Sequence, residues 1–165
     1  MRILVLRHGH AVDPYRALVD EQRWLTEIGR ARVRRMAESL LSGDEAFRPT
    51  AIFTSPLVRA VQTAELFTSI ANPELERLEV IPALAPERGT TAEALSVLEE
   101  LGPDDQIVLV SHEPKVRVLA AHLGRLAQMP AFSPASGTLI ELSSERPAVH
   151  LIESSTLIRH PLSPA

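Results

Sequence analysis

Short, almost uninterrupted apolar runs alternate with longer amphipathic segments along most of the chain, and this alternation restricts the fold more than any other feature. Buried strands have this length and this content of β-branched residues and leucine. Strands that alternate with helices favour a mostly parallel sheet whose crossovers cover both faces. We therefore predict an α/β fold, a three-layer α/β/α sandwich. The predicted strands are residues 3–6, 51–53, 78–81, 107–110, 138–142 and 148–152.

Helix signals fill the gaps between these strands. Thr26 begins an amphipathic helix over 26–41, after which Gly43 is a candidate C-cap. Ser55 as N-cap and Pro56 at the first helical position predict a helix to about residue 70. A Thr90 and Glu93 capping box predicts a helix through residue 101, and Pro114 begins the last helix. The link over 143–147 is short enough for a hairpin, which would make one closing strand antiparallel.

Length and composition limit the organisation and the partners. A chain of 165 residues supports one substantial core, so we predict a single domain over 1–165 whose tail, from about residue 154, packs lightly or frays. The absence of cysteine excludes disulfides, cysteine zinc sites and a cysteine nucleophile, and it suits the cytoplasm. No apolar run has the length of a signal peptide core or a membrane span. The net charge of −4 provides no general footprint for nucleic acid, and a monomer is the default expectation.

Polar residues collect where the predicted strands end. Because the carboxyl ends of parallel strands share one edge of the sheet, these residues should lie close together. Arginine forks and helix N-termini form anion sites, and phosphate is the anion that suits them best. The four segments are Arg7-His8-Gly9-His10, Ser55-Pro56-Leu57-Val58-Arg59, Pro86-Glu87-Arg88-Gly89 and Ser111-His112-Glu113-Pro114.

A neutral imidazole in such an anion site is a nucleophile directed at phosphorus. We predict that His8 attacks a phosphate ester or phosphoramidate, while Arg7, Arg59 and His112 hold the non-bridging oxygens. Neighbouring cations should lower the pKa of His8 and keep it neutral. Gly9 lets the backbone pass close to the nucleophile. Flanking arginines repel metal cations and no carboxylate completes a ligand set, so we predict neither a metal nor a cofactor.

Three motifs carry a resemblance to a known family. LVLRHGHA, TSPLVRAVQTA and VLVSHEP resemble the signatures of the histidine phosphatase superfamily, whose fold is phosphoglycerate mutase-like. The small size, WLTEIGRARV and ASGTLIEL resemble its SixA-like phosphohistidine phosphatase branch. The resemblance implies that His8 is the nucleophile and that Arg7, Arg59 and His112 bind the phosphoryl group. It also implies that the backbone at Ser136 and Gly137 borders the pocket.

Two positions depart from the family pattern. The mutase and acid-phosphatase branches supply a proton-donating carboxylate after the third strand, whereas the SixA-like branch generally lacks it. Glu87 lies in this region, and two interpretations stay open: it protonates a leaving group, or it is a solvated loop residue. His10 stands where SixA-like relatives often carry Asp, and we place it at the pocket rim. For His122, His150 and His160 a structural role is favoured.

The predicted function is a phosphatase with a covalent phosphohistidine intermediate, most similar to a SixA-like protein phosphohistidine phosphatase. Short connections leave no room for a lid domain, so an open cleft and a protein-borne phosphoryl group are expected. One alternative is a small-metabolite phosphomonoesterase or mutase-like enzyme. The other is a non-catalytic phosphate-recognition module, against which the intact His8 argues. An arginine run at 30, 32, 34 and 35 predicts a solvated helix face or an attraction for an acidic protein.

Overall fold

Seven strands and four α-helices make up the part of the chain that the computed structural model describes, residues 1–42, 45–143 and 146–163. The helices are α1 Glu27–Leu40, α2 Val58–Ala71, α3 Thr91–Leu95 and α4 Lys115–Gly124. The strands are β1 Arg2–Arg7, β2 Ala51–Thr54, β3 Leu78–Val80, β4 Gln106–Ser111, β5 Gly137–Glu141, β6 Ala148–Ile152 and β7 Arg159–Leu162.

All seven strands form one sheet in the order β3-β2-β4-β1-β5-β6-β7. The first four strands in this order pair in parallel, and Leu4 of β1 faces Val108 of β4. The joins from β1 to β5, β5 to β6 and β6 to β7 are antiparallel. The α/β class is confirmed, but the sheet is mixed where we predicted a mostly parallel one. The links after β5 and β6 are short, and parallel neighbours need a crossover of a dozen or more residues.

Alternate side chains of the strands enter two hydrophobic cores on opposite faces of the sheet. Leu4 and Leu6 of β1 join the first core, together with buried residues of α1 and α2 such as Met36 and Phe67. Ile3 and Val5 join the second core, which contains buried residues of α3 and α4. Helices therefore cover both faces of the sheet and leave the ends of the strands free for a site.

The helix starts follow the sequence signals with two corrections. Thr26 caps α1 and accepts the Gly29 N–H at 3.1 Å, and the capping box of Thr90 and Glu93 is present. Helix α2 begins at Val58 with Leu57 as its N-cap, so the prediction of Ser55 as N-cap is wrong; its hydroxyl bonds His112 instead. The α-helical part of α3 ends at Leu95 and a 3-10 turn follows, with the Ser96 hydroxyl bonded to a carbonyl one turn earlier.

Some predictions concern the ends of segments and the tail. Gly43 lies outside the described residues, as do 144 and 145 of the predicted hairpin turn. The tail holds an unpredicted strand, β7, which pairs with the free edge of β6 and carries Pro161. Proline is tolerated on such an edge strand, so the local sequence gave little strand signal. No described helix combines the length and the apolar content needed to span a bilayer.

Candidate active site

The carboxyl ends of β1, β2 and β4 bring together four of the predicted residues. The His8 N–H donates to the Ser111 carbonyl at 3.0 Å, so the loop after β1 lies beside the end of β4. The ring centroids of His8 and His112 are 4.8 Å apart, and their planes are tilted by 54°. The Arg59 Nε lies 3.3 Å from the His8 Nε2. The expected convergence at one sheet edge is therefore present in the structure.

The hydrogen bonds of His8 determine which ring nitrogen carries the proton. Its Nδ1 lies 2.7 Å from the carbonyl oxygen of Gly9, which accepts only if Nδ1 carries the proton. The Nε2 atom is then an acceptor. Burial lowers the His8 pKa to about 3. The Gly9 hydrogen bond opposes this shift, and the charges of Arg59, Arg7 and Arg23 add to it. His8 is consequently a neutral imidazole with a lone pair on Nε2 near pH 7.

One ring nitrogen of His112 is hydrogen-bonded, and the other is not in the part of the chain that the structure describes. Its Nε2 lies 2.7 Å from the Ser55 hydroxyl oxygen, and that oxygen accepts the Leu57 N–H at 3.3 Å. Ser55 can donate its own proton to Nε2, which leaves the hydrogen of the neutral ring on Nδ1. The Nδ1 atom is buried and has no hydrogen-bond partner among the described residues. Burial, assisted by the positive charge of Arg59, lowers the His112 pKa to about 2.

The loop that follows α4 holds the side chain of Arg7. One terminal nitrogen of Arg7 donates to the carbonyl of Phe132, whose N–H donates to Glu113 Oε1 at 2.6 Å. The Arg7 Nε is buried without a hydrogen-bond partner among the described residues. Burial lowers the pKa of Arg7, and the negative charge of Glu113 opposes that shift. Since a guanidinium remains charged in proteins, Arg7 brings an unused cationic donor to the site.

Arg59 is held by a residue that sequence analysis did not identify. It lies in the first turn of α2 and is buried, and its two terminal nitrogens donate to the carbonyl and the carboxylate of Asp20 at 2.7 and 2.9 Å. The other Asp20 oxygen accepts from Arg23 at 2.8 Å, and the Arg23 and Arg59 hydrogen bonds lower the Asp20 pKa. Asp20 lies in a polar loop 39 residues before Arg59, where no local pattern indicates this pairing.

The loop after β1 fits closely against α1 and α2. The Gly9 N–H donates to the Thr63 hydroxyl at 3.0 Å, and a Cβ on Gly9 would lie 3.0 Å from a Val33 methyl group. A Cβ on Gly29 would overlap the His10 carbonyl and lie 2.8 Å from the His10 nitrogen. Both glycines permit the contact that fixes the loop next to His8.

A cleft of about 550 Å³ adjoins this centre. Its walls come from the loop before α1, the start of α2 and the loop after β3, and Glu87 lies exposed on the last of these. Lys115 holds that loop, since its ammonium group donates to the carbonyls of Ala83, at 2.6 Å, and Arg88. The lining residues are Asp20, Glu21, Leu57, Ala85, Pro86, Glu87 and Arg88.

Other predicted positions lie outside the hydrogen bonds of this centre. His10 is exposed, and its Nδ1 lies 2.9 Å from the Thr26 hydroxyl at the start of α1. Gly137 is paired with Leu6 inside the sheet, whereas the Ser136 carbonyl accepts the Arg7 N–H at 3.0 Å. His122, His150 and His160 lie on α4, β6 and β7. Among the described residues, no group of three or more histidine or acidic side chains is arranged to hold a metal ion.

The fold and the site define a class of α/β protein with two neutral histidines and two arginines at the carboxyl edge of the sheet. Residues 3–84 match the family model of the histidine phosphatase superfamily, branch 1. A protein of Picosynechococcus is 39% identical over 117 residues, which cover 69% of this chain and 67% of the relative. The chain belongs to the histidine phosphatase superfamily.

Solved structures support the same assignment. The protein histidine phosphatase SixA complexed with tungstate matches with a TM-score of 0.81 and 28% identity, covering 96% of this chain and 100% of SixA. A mycobacterial glucosyl-3-phosphoglycerate phosphatase matches with a TM-score of 0.62 and 18% identity, covering 99% of this chain and 97% of that protein. At that identity the second match concerns the fold alone.

Proposed function

We propose that the protein is a three-layer α/β/α phosphatase that transfers the phosphoryl group of its substrate to His8 Nε2 and then to water. The observation that carries this proposal is a buried neutral imidazole with Nε2 as acceptor, next to buried donors on Arg7, Arg59 and His112. An anion at this point would provide acceptors for the unpartnered Arg7 Nε and His112 Nδ1, which are costly to leave buried without a partner.

In the first step, Nε2 of His8 forms a bond to phosphorus as the bond from phosphorus to the leaving group breaks. Arg7, Arg59 and His112 donate to the non-bridging oxygens, where negative charge must be stabilised. In the second step, water attacks the phosphohistidine and releases inorganic phosphate, which restores the neutral His8. These steps use only side chains of the described site, so the proposal includes no metal or cofactor.

A protein-borne phosphohistidine is the substrate class that we favour. The leaving nitrogen of phosphohistidine can be protonated before the bond breaks, so a strong general acid is needed least for this substrate. The cleft beside His8 is bounded by two loops with exposed acidic residues, and it adjoins an exposed apolar surface that a protein can contact. The 28% identity to SixA, a protein histidine phosphatase, adds to this argument. We place this activity in the cytoplasm and treat a monomer as sufficient for it.

A small phosphorylated metabolite is the second candidate. The cleft volume of about 550 Å³ suits a small ligand, and Glu87 on its wall is available to protonate an ester oxygen. A mycobacterial phosphatase for glucosyl-3-phosphoglycerate shares the fold. A phosphate-recognition module without catalysis is disfavoured, because binding alone does not require a nitrogen lone pair next to three donors.

The decisive experiment compares phosphate release by the wild type and His8→Ala on a histidine-phosphorylated protein and on p-nitrophenyl phosphate. We expect the His8→Ala variant to lose essentially all turnover while circular dichroism shows an unchanged fold, because no other neutral nitrogen replaces Nε2. His122→Ala, a change at an exposed histidine on α4, is the matched control and should retain full activity. Unchanged turnover by His8→Ala would exclude the proposed intermediate, and faster wild-type turnover of the ester would favour the metabolite.

Glu87→Gln tests the second candidate separately. If Glu87 is the general acid for an ester, the substitution should slow esters with poor leaving groups about 10²-fold or more and leave phosphohistidine turnover unchanged. Glu21→Gln, on the opposite wall of the same cleft, is the control for a general change in charge. If the substrate is a phosphohistidine, Glu87→Gln and Glu21→Gln should both hydrolyse it with the kcat of the wild type.

A further inference from the structure

Large exposed apolar side chains are concentrated beside the cleft. The loop over 13–23 is closed at its base, where the Val12 N–H donates to the Trp24 carbonyl at 2.9 Å. Asp20 of this loop contacts Arg59, and Asp20 and Glu21 line the cleft, so the loop is one wall of the site. We define the apolar rim as the exposed apolar residues of this loop and of the first turn of α1, together with Trp24 at the base of the loop. They are Tyr15, Leu18, Val19, Trp24 and Ile28.

The apolar rim is not part of the lining of the cleft. Leu18 is 93% exposed and Tyr15 is 82% exposed, and neither belongs to the residues that line the cleft. A small ligand bound in the cleft would leave these side chains in water. Clustered exposed apolar residues next to a site are typical of a surface that another macromolecule covers, and aromatic residues are enriched in such surfaces.

The charge next to the rim indicates the chemistry of the partner. Ile28, Arg32 and Arg35 lie at i, i+4 and i+7 along one side of α1, and Arg35 is exposed. No described carboxylate forms an ion pair with Arg32 or Arg35, although the whole chain has a net charge of −4. Although the rim also adjoins the exposed Glu21 and Glu27, its α1 side continues into these two arginines, and that side is complementary to an apolar patch bordered by carboxylates.

We infer that the apolar rim is the docking surface for the protein that carries the phosphohistidine, with Arg32 and Arg35 contacting acidic residues of that protein. This inference rests on the proposed function and specifies how a protein substrate is selected. The rim contacts the surface around the phosphorylated histidine, while the phosphoryl group itself reaches His8. Recognition and phosphoryl transfer are thereby assigned to different residues of neighbouring elements.

The test compares an acidic histidine-phosphorylated protein with free phosphohistidine, which has the same leaving group without a protein surface. For Tyr15→Ser with Leu18→Ser we expect kcat/KM for the protein to fall about 10-fold or more, chiefly through KM, since a few apolar anchors carry most of the energy of an interface. Turnover of free phosphohistidine should remain within about two-fold of the wild type, as neither side chain lines the cleft. Arg32→Glu with Arg35→Glu should raise KM for the acidic protein and reduce its dependence on salt.

Ile158→Ser is the matched control, since Ile158 is 56% exposed and lies between β6 and β7. It should leave both substrates unaffected. The docking surface would be overturned if the Tyr15→Ser with Leu18→Ser variant lost the same fraction of kcat/KM on both substrates, or lost none on the protein. Turnover of phosphohistidine by the wild type would still uphold the proposed function in either case.

If the wild type hydrolysed p-nitrophenyl phosphate but neither phosphohistidine substrate, the docking surface and the phosphohistidine substrate class would both be overturned, and the small-metabolite phosphatase would be favoured. A third outcome would assign the rim to a lipid surface instead. In that case the wild type binds phosphatidylglycerol vesicles, the Tyr15→Ser with Leu18→Ser variant does not, and both turn over the phosphorylated protein equally.

Discussion

Asp20 is a carboxylate next to Arg59, the arginine that we propose binds the phosphoryl group, and its position explains why it need not compete with substrate. It accepts from the two terminal nitrogens of Arg59 through its carbonyl and carboxylate. The Arg59 Nε meanwhile points to His8. Because a guanidinium is planar, fixing its outer edge also fixes the direction of Nε. Asp20 therefore acts as a positioning residue for Arg59, and Arg23 offsets part of its negative charge.

We expect Asp20→Ala to lower kcat/KM by about 10- to 100-fold, because a displaced Arg59 no longer meets the phosphoryl oxygens. Tungstate, used as an oxyanion inhibitor, should bind more weakly to this variant. Asp20→Asn should restore much of the loss, since its amide oxygen still accepts from Arg59. Inhibition constants for tungstate measure the effect, and Glu21→Ala is the neighbouring control. Tighter tungstate binding by Asp20→Ala would instead identify Asp20 as a competitor of the anion.

At the scale of elements, α1 and the loop after β1 position each other. Thr26 caps α1 and its N–H donates to the His10 carbonyl at 2.9 Å, so the first turn of the helix is bonded to the residue two places after His8. Gly29 on this helix contacts the same carbonyl. Any displacement of α1 is therefore transmitted to the loop that carries His8.

Gly29→Ala tests this coupling, since two effects of opposite sign meet at one residue. Alanine favours a helix interior by about 1 kcal/mol over glycine. The added Cβ overlaps backbone atoms of His10, which costs about 1–3 kcal/mol or more when a packed region cannot yield. We expect a net loss of stability in urea unfolding together with a lower kcat. Gly102→Ala is the control, because its Cβ would meet only an Asp105 oxygen, at 3.6 Å. Greater stability with full activity in Gly29→Ala would contradict the coupling.

At the scale of the whole molecule, the two buried histidines make stability depend on pH. Their folded pKa values are about 3 for His8 and about 2 for His112, below the ordinary value of 6.5. Below pH 6.5 the unfolded chain therefore binds protons that the folded chain does not, and the free energy of unfolding falls as the pH falls.

We expect the free energy of unfolding to decrease between pH 6.5 and pH 5, with a limiting slope of about 1.4 kcal/mol per pH unit for each histidine. Urea titrations at several pH values measure this slope. His8→Asn should remove about half of it, because one of the two contributing groups is lost. A stability that stays constant or rises toward pH 5 would contradict the neutral, buried state of both rings.

Local sequence patterns predicted most of the strands and the meeting of four site residues. Apolar residues predicted six of the seven strands, and the pattern is clearest in β1, β2 and β4, which are buried along most of their length. Arg7, His8, Arg59 and His112 were predicted to meet since each follows a strand or begins a helix at one sheet edge. The strand β7 was missed, because an edge strand with a proline and mostly polar neighbours lacks such a pattern.

Local periodicity and chain direction were enough to predict six strands, the approximate places of the helices and the four polar residues that follow the strands. The partners that set the state of each polar group depend instead on the tertiary fold. Ser55 bonds His112 across 57 residues, Asp20 bonds Arg59 across 39, and Phe132 bonds Arg7 across 125. These pairings depend on the order of strands in the sheet and on the path of the loops, which no local pattern encodes.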